Sequence, residues 1–204
     1  MSTPSNLAVV VDPDAPGRLV IRSVPEPVPD RGEAIVRVRA LSLNRGEVRR
    51  STMAAAGWRP GWDLAGVVER AADGTGPEVG ARVVGFLPEG AWAQRVAVPK
   101  NALAVLPDKV TFSQAATFPV AGLTALLALG KSGPILGKRV LVTGATGGVG
   151  DFAVQLARLG GAHVTASVRR ADQVPAVRAL GAHEVSGGDE IPRSPKHDLI
   201  IESV

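Results

Sequence analysis

Residues 138–161 read K-R-V-L-V-T-G-A-T-G-G-V-G-D-F-A-V-Q-L-A-R-L-G-G. Val140–Val142 is a short apolar run closed by Thr143-Gly144, which predicts a buried strand leading into a tight turn. Beyond it Val149, Phe152, Ala153, Leu156 and Ala157 recur at the helical period, and Gly160-Gly161 supplies a stop. Ala145-Thr146-Gly147-Gly148-Val149-Gly150 occupies a G-x-G-x-x-G frame with alanine in the first slot. In a strand–turn–helix of this kind the free N–H groups of the first helical turn point at the turn, where a pyrophosphate would find unpaired donors and the positive end of the helix dipole. Gly147 leaves room for the phosphates, and Gly150 lets the helix lie on the strand. Gly144 through Gly150 is therefore the expected pyrophosphate site, with a structural turn as the alternative.

A second strand is expected at Ala162–Val168, and its end bears on the choice of nucleotide. An NAD site carries Asp or Glu about 20 residues beyond the glycines to take ribose hydroxyls, and such a charge would repel a 2′-phosphate. Here the positions hold Ser167-Val168-Arg169-Arg170. A hydroxyl and two guanidiniums suit a phosphate ester, so NADP(H) is the expected cofactor. The alternative is that both arginines are solvated residues opening the next helix.

Composition sets wider bounds. The chain has 204 residues, 45% hydrophobic, with a net charge of +4 spread as scattered arginines. No cationic run alternates with aromatics, which argues against nucleic acid as a partner. Cysteine is absent, removing disulfides, thiolate zinc sites and cysteine nucleophiles together. Neither a signal peptide nor a membrane anchor is legible, and a cytoplasmic setting is expected.

From Leu7 to Pro107 short β-like segments alternate with Pro and Gly turns, which predicts a small barrel or sandwich, interrupted by a short helix from Arg45. From Thr111 the texture changes. Ser113 is expected to cap a helix that Pro119 interrupts, with a further helical piece at Gly122–Leu129. A domain boundary is placed near Phe118, giving units 1–117 and 118–204. Beyond it strands and helices alternate, with helix at Ala171–Leu180, strand at Glu184–Ser186, loop at Gly187–Pro195 and a last strand at Leu199–Val204. That order predicts a parallel, doubly wound sheet. Ending on an apolar strand leaves a bare edge, which suggests either further chain or a second copy, a homodimer.

Several blocks carry a resemblance: A-L-S-L-N-R-G-E (40–47), G-W-D-L-A-G-V-V (61–68), V-G-A-R-V-V-G-F (79–86), G-A-W-A-Q-R-V-A-V-P (90–99), F-P-V-A-G-L-T-A (118–125), the glycine turn, and D-L-I-I-E-S-V (198–204). In this order they resemble the zinc-free, NADPH-dependent quinone oxidoreductase branch of the medium-chain dehydrogenase/reductase superfamily, across Leu7–Val204. The resemblance implies a GroES-like β-barrel domain, a Rossmann domain truncated at its C-terminal side, and a nicotinamide and substrate cleft between them. Zinc-dependent relatives place Cys, His and Cys where this chain has Asn44, Trp62 and Val120-Ala121; these cannot supply thiolate or imidazole, so no metal is expected.

Without a metal the expected reaction is hydride transfer to a quinone or an α,β-unsaturated carbonyl, for which the protein aligns the reactants and stabilises a developing oxyanion. Asn44, a neutral donor and acceptor, is the candidate for that contact; its alternative is a helix N-cap. Thr124 matches the family's threonine beside the nicotinamide. The chain has no tyrosine to act as proton donor. His163, His183 and His197 precede their strands, the wrong end for a ligand in an open sheet. Glu47 and Asp63 are set aside as an acid/base pair, Asp63 being expected to hold local backbone or pair with an arginine. Asp151, in the first turn of the pyrophosphate helix, is an unresolved tension unless it points away. Rival readings are a catalytically silent NADPH-binding protein and an enoyl-thioester reductase.

Overall fold

The computed structural model describes residues 5–74, 76–187 and 197–204. Its contacts divide the chain into two units, 1–120 and 121–204, each with its own core.

In the first unit, β1 (Ser5–Val11) and β2 (Leu19–Pro25) form an antiparallel pair. β3 (Glu33–Leu41), β4 (Asp63–Arg70), β5 (Arg82–Phe86), β6 (Arg95–Pro99) and β7 (Leu103–Val105) form a second sheet in the order β6-β3-β4-β5-β7. Alternation places Ala34 and Val36 of β3 inward with Leu64 and Val68 of β4, Val83, and Val96 and Val98 of β6, all nearly inaccessible. β1 is stitched to this sheet by the fully buried Asn6. Its amide donates to the Arg95 carbonyl (2.8 Å) and accepts from the Arg95 N–H (3.0 Å), so a buried polar side chain meets both its needs.

Helix α1 (Arg45–Ser51) links β3 to β4, and α2 (Phe112–Ala116) packs Ala115 and Ala116 into a small cluster with Ala65 and Leu106. The cap of α2 is Thr111 rather than Ser113. Thr111 Oγ1 accepts from the Gln114 N–H (3.2 Å) while Gln114 Oε1 accepts from the Thr111 N–H (3.0 Å), a reciprocal box for which Ser113 lacks the partner three residues on. A π-helical turn at Phe118–Gly122 follows, where Pro119 cannot donate to a regular ladder.

The second unit begins with α3 (Leu123–Lys131) and then alternates: β8 (Arg139–Val142), α4 (Gly148–Leu159), β9 (His163–Val168), α5 (Val174–Ala179), β10 (Glu184–Gly187) and β11 (Leu199–Ile201). All four strands run parallel in the order β10-β9-β8-β11. That is the opening of a doubly wound sheet: the winding runs outward from β8 through β9 to β10, then reverses to place β11 on the other side of β8. Val140, Leu141 and Val142 are wholly buried, and α4 lays Ala153, Val154 and Ala157 on the sheet. The expected single helix at Ala171–Leu180 is instead a 3₁₀ turn, Ala171–Gln173, followed by α5, because Pro175 restricts the start of the α-helix. The last strand stops at Ile201, since Ser203 turns back to donate to the Thr143 carbonyl (2.6 Å). Most of the expected loop at Gly187–Pro195 lies outside the described residues. No helix among the described residues is long and apolar enough to cross a membrane.

Candidate functional site

The reversal of winding falls at the carboxyl ends of β8 and β11, where an open α/β sheet presents its ligand crevice. The glycine turn leaves β8 at that point. Gly144 adopts φ +57°, and the Gly147 N–H closes onto its carbonyl at 2.8 Å. A Cβ on Gly150 would lie 2.2 Å from the Gly144 oxygen, so only glycine lets α4 start this close to the strand. Gly147 sits extended at the N-cap. Among the described residues nothing accepts from the N–H groups of Gly148, Val149 or Gly150, while Thr146, Gly147 and Gly148 are exposed. The turn therefore offers open donors at the positive end of a 12-residue helix, the arrangement a diphosphate requires.

Asp151 does not spoil it. Gln155, one turn on, donates to Asp151 Oδ1 at 2.7 Å and holds the carboxylate along the helix flank. Two further contacts brace the turn: the Ala145 N–H donates to the Ser167 carbonyl (3.3 Å), and Ser203 Oγ lies 3.5 Å from the Gly144 oxygen. The first joins the glycine turn to the end of β9, where the second group of candidate residues stands.

That group is arranged differently from the simple expectation. Ser167 is half-buried, Val168 is buried in the core, and Arg169 and Arg170 are exposed. The Arg170 guanidinium grips Asp172 through Nε (3.0 Å to Oδ1) and Nη2 (3.3 Å to Oδ2), which holds the Asp172 carboxyl below its ordinary range. Gln173 Oε1 accepts from the backbone N–H groups of both Arg169 and Arg170, each at 3.2 Å, and Gln173 Nε2 donates to Thr146 Oγ1 at 3.2 Å. Sequence reasoning misses Gln173; its only signal there is an amide side chain three residues beyond the second of the two arginines that follow the strand. Thr124, on α3, is exposed while Ala125 and Leu129 face the core.

In the first unit, Asn44 is the N-cap residue of α1, and its surroundings are acidic. Its backbone N–H donates to Glu47 Oε1 at 2.7 Å, and its side-chain amide donates both to that oxygen (2.9 Å) and to Asp63 Oδ2 (2.8 Å). Both amide hydrogens are engaged. Asp63, fully buried, also accepts from Ser42 Oγ and, through Oδ1, from the Val120 N–H (2.9 Å). It thus holds backbone, and among the described residues no arginine pairs with it. Glu47 is fully buried as well; burial pushes its carboxyl above the ordinary range, with the Asp63 charge acting in the same direction. Spacing alone could not show these acids sharing one amide, because Glu47 stands on α1 and Asp63 arrives on β4.

Trp62 packs on this helix so closely that a Cβ on Gly46 would stand 2.6 Å from its ring. Among the described residues no group of three His, Cys, Asp or Glu side chains is placed to hold a metal ion. His163 and His183 stack at 4.4 Å by the N-terminal ends of β9 and β10, away from the glycine turn.

The Alcohol dehydrogenase GroES-like domain matches residues 30–108. The chain is 35% identical over 204 residues to the chloroplastic quinone-oxidoreductase QR1 of Triphysaria versicolor, covering 87% of this chain and 61% of that protein. Among solved structures, the quinone oxidoreductase of Thermus thermophilus, described also in complex with NADPH, superposes with a TM-score of 0.78 at 36% identity, over 89% of this chain and 59% of that one. The cobalt- and zinc-bound alcohol dehydrogenase of Pyrobaculum aerophilum gives a TM-score of 0.88 at 26% identity, over 98% and 70%. The chain spans 61% of the length of each of the first two curated relatives that it matches. With a GroES-like first unit, a parallel doubly wound second unit and these relatives, the chain is similar to the quinone oxidoreductase branch of the medium-chain dehydrogenase/reductase superfamily.

Proposed function

We propose that this protein is an NADPH-dependent oxidoreductase that reduces a quinone or an α,β-unsaturated carbonyl without a metal ion. The observation that carries the reading is the glycine turn: three open helix N–H donors, an exposed Thr146-Gly147-Gly148 surface, and a position at Gly150 that admits only hydrogen. These residues fit a dinucleotide diphosphate. Gly144–Gly150 would hold the diphosphate, Ser167–Arg170 the ribose end, and Thr124 the nicotinamide end. When bound, a reduced nicotinamide supplies a hydride to a carbon made electrophilic by its own conjugation.

What the chain itself contributes is binding, orientation and exclusion of water. Metal independence follows from donor chemistry. Asn44 and Trp62 stand where thiolate and imidazole would be needed, and Trp62 lies against Gly46. Asn44 enters this reading as a positioning residue. Its amide hydrogens are spent on Glu47 and Asp63, so they are not free to stabilise the developing oxyanion, and with no tyrosine in the chain its proton comes from solvent or a cofactor ribose hydroxyl.

The test is oxidation of NADPH and NADH by the protein against a panel of quinones and enones. Turnover with NADPH, slower with NADH and unaffected by a chelator, is the expected result. Equal rates with both cofactors overturn the 2′-phosphate assignment, and turnover lost to the chelator overturns metal independence. The engaged amide of Asn44 favours a second reading, a silent NADPH-binding protein. Calorimetric binding of NADPH with no turnover on any acceptor decides for it.

A further inference from the structure

The turn that would meet the cofactor's ribose satisfies most of its own donors. Four groups there suit a phosphate ester: the backbone N–H groups of Arg169 and Arg170, the Arg170 guanidinium and the Arg169 guanidinium. Gln173 Oε1 takes both backbone donors at 3.2 Å, and Asp172 takes the Arg170 guanidinium through two of its nitrogens. The same Gln173 reaches across to Thr146 of the glycine turn. Two consecutive side chains thus do what a ligand's oxygens would do.

We propose that Asp172 and Gln173 are specificity-determining residues that compete with a 2′-phosphate for the Arg169–Arg170 turn and so moderate the preference for NADPH over NADH. This rests on the nucleotide reading above. The physical case is one of charge and exchange. With Asp172 present the turn carries two cations and one anion. A phosphate must draw Arg170 away from its partner and accept a carboxylate nearby, whereas a ribose hydroxyl can donate to Asp172 or to Gln173 Oε1 and displaces neither.

The competition is tunable because it is exposed. Arg170 and Asp172 both stand in solvent, where an ion pair is weak and screened by salt, so the brake can be overcome without being negligible. Gln173 contributes through a neutral acceptor. Its amide oxygen satisfies the two N–H groups but adds no charge, so exchange with phosphate oxygens replaces a neutral hydrogen bond by a charge-assisted one.

The test is calorimetric titration of the full chain with 2′,5′-ADP and with 5′-AMP, which carry the phosphate and the hydroxyl respectively. Asp172→Asn is expected to tighten 2′,5′-ADP about threefold, the scale of an exposed ion pair, and not to tighten 5′-AMP, whose hydroxyl loses a carboxylate acceptor. Adding Arg170→Ala should abolish that gain, and raising the salt concentration should shrink it. Gln173→Glu, which sets a carboxylate against the same two N–H groups, should weaken 2′,5′-ADP more than 5′-AMP. If either single substitution leaves the ratio of the two affinities unchanged while both ligands bind, the proposal is overturned and the nucleotide reading stands. If the unaltered protein binds neither ligand, the nucleotide reading fails and the proposal with it.

Discussion

Asn44 shows how much one residue's role depends on what surrounds it. As a letter it is a donor, an acceptor and a helix cap; in the fold both its amide hydrogens point at carboxylates, Glu47 on its own helix and Asp63 on β4. Two buried acids share one amide, and among the described residues neither forms an ion pair, so the protonation of Glu47 becomes a stability question. Its carboxyl is raised by burial, so the folded protein holds that proton to higher pH than the unfolded chain does. The group's contribution is therefore most favourable below its unfolded value near 4.5 and is lost as pH rises through the folded value, the loss being complete only above it. Glu47→Gln removes this dependence. Thermal unfolding of both proteins from acid to neutral pH should show the variant gaining on the parent as pH rises; a constant difference across that range would show that Glu47 ionises in the fold as freely as in the unfolded chain.

At the scale of elements, the two helices that matter start in different ways. α2 begins on the reciprocal box of Thr111 and Gln114, while α4 begins on bare glycine and leaves its first donors open. The contrast is chemical. A side-chain cap satisfies the N–H groups of a first turn, and a helix without one leaves them to another acceptor. Thr111→Ala should cost about 1 kcal/mol, read as a lower midpoint of urea unfolding, since the lost acceptor leaves a first-turn N–H to water. A midpoint unchanged by Thr111→Ala would mean that packing of Ala115 and Ala116 alone holds α2. Strand ends behave similarly: β9 runs into a turn organised by Gln173, and β11 stops where Ser203 folds back onto Thr143.

At the scale of the molecule, the buried residues form separate cores, one in the parallel sheet and two in the antiparallel unit. All three tryptophans, Trp58, Trp62 and Trp92, lie in the first unit, so their fluorescence reports on it alone. Leu141 is fully buried on β8 of the second unit, and Leu141→Ala should cost about 2–5 kcal/mol there. Unfolding of the variant should shift in circular dichroism while the tryptophan transition stays in place. Equal shifts in both signals would show that the units unfold as one cooperative body.

Much of this was legible in the sequence. Strand–glycine–helix periodicity around residues 138–161 specified the glycine turn, because local spacing decides both which helix face is buried and where N–H donors are left free. The Pro- and Gly-punctuated first half specified a β unit, and alternation specified the parallel sheet. What tertiary structure decided were the contacts that side chains make once the backbone is placed, several of them between residues far apart in the chain. Asp63 came to share the amide of Asn44, Gln155 turned Asp151 aside, and Asp172 and Gln173 occupied the donors that the sequence offered to a phosphate. Such contacts depend on side-chain direction and on strand register, which no local pattern of residue types carries; a hydrogen bond is made or lost within a few tenths of an ångström that only the packed fold defines.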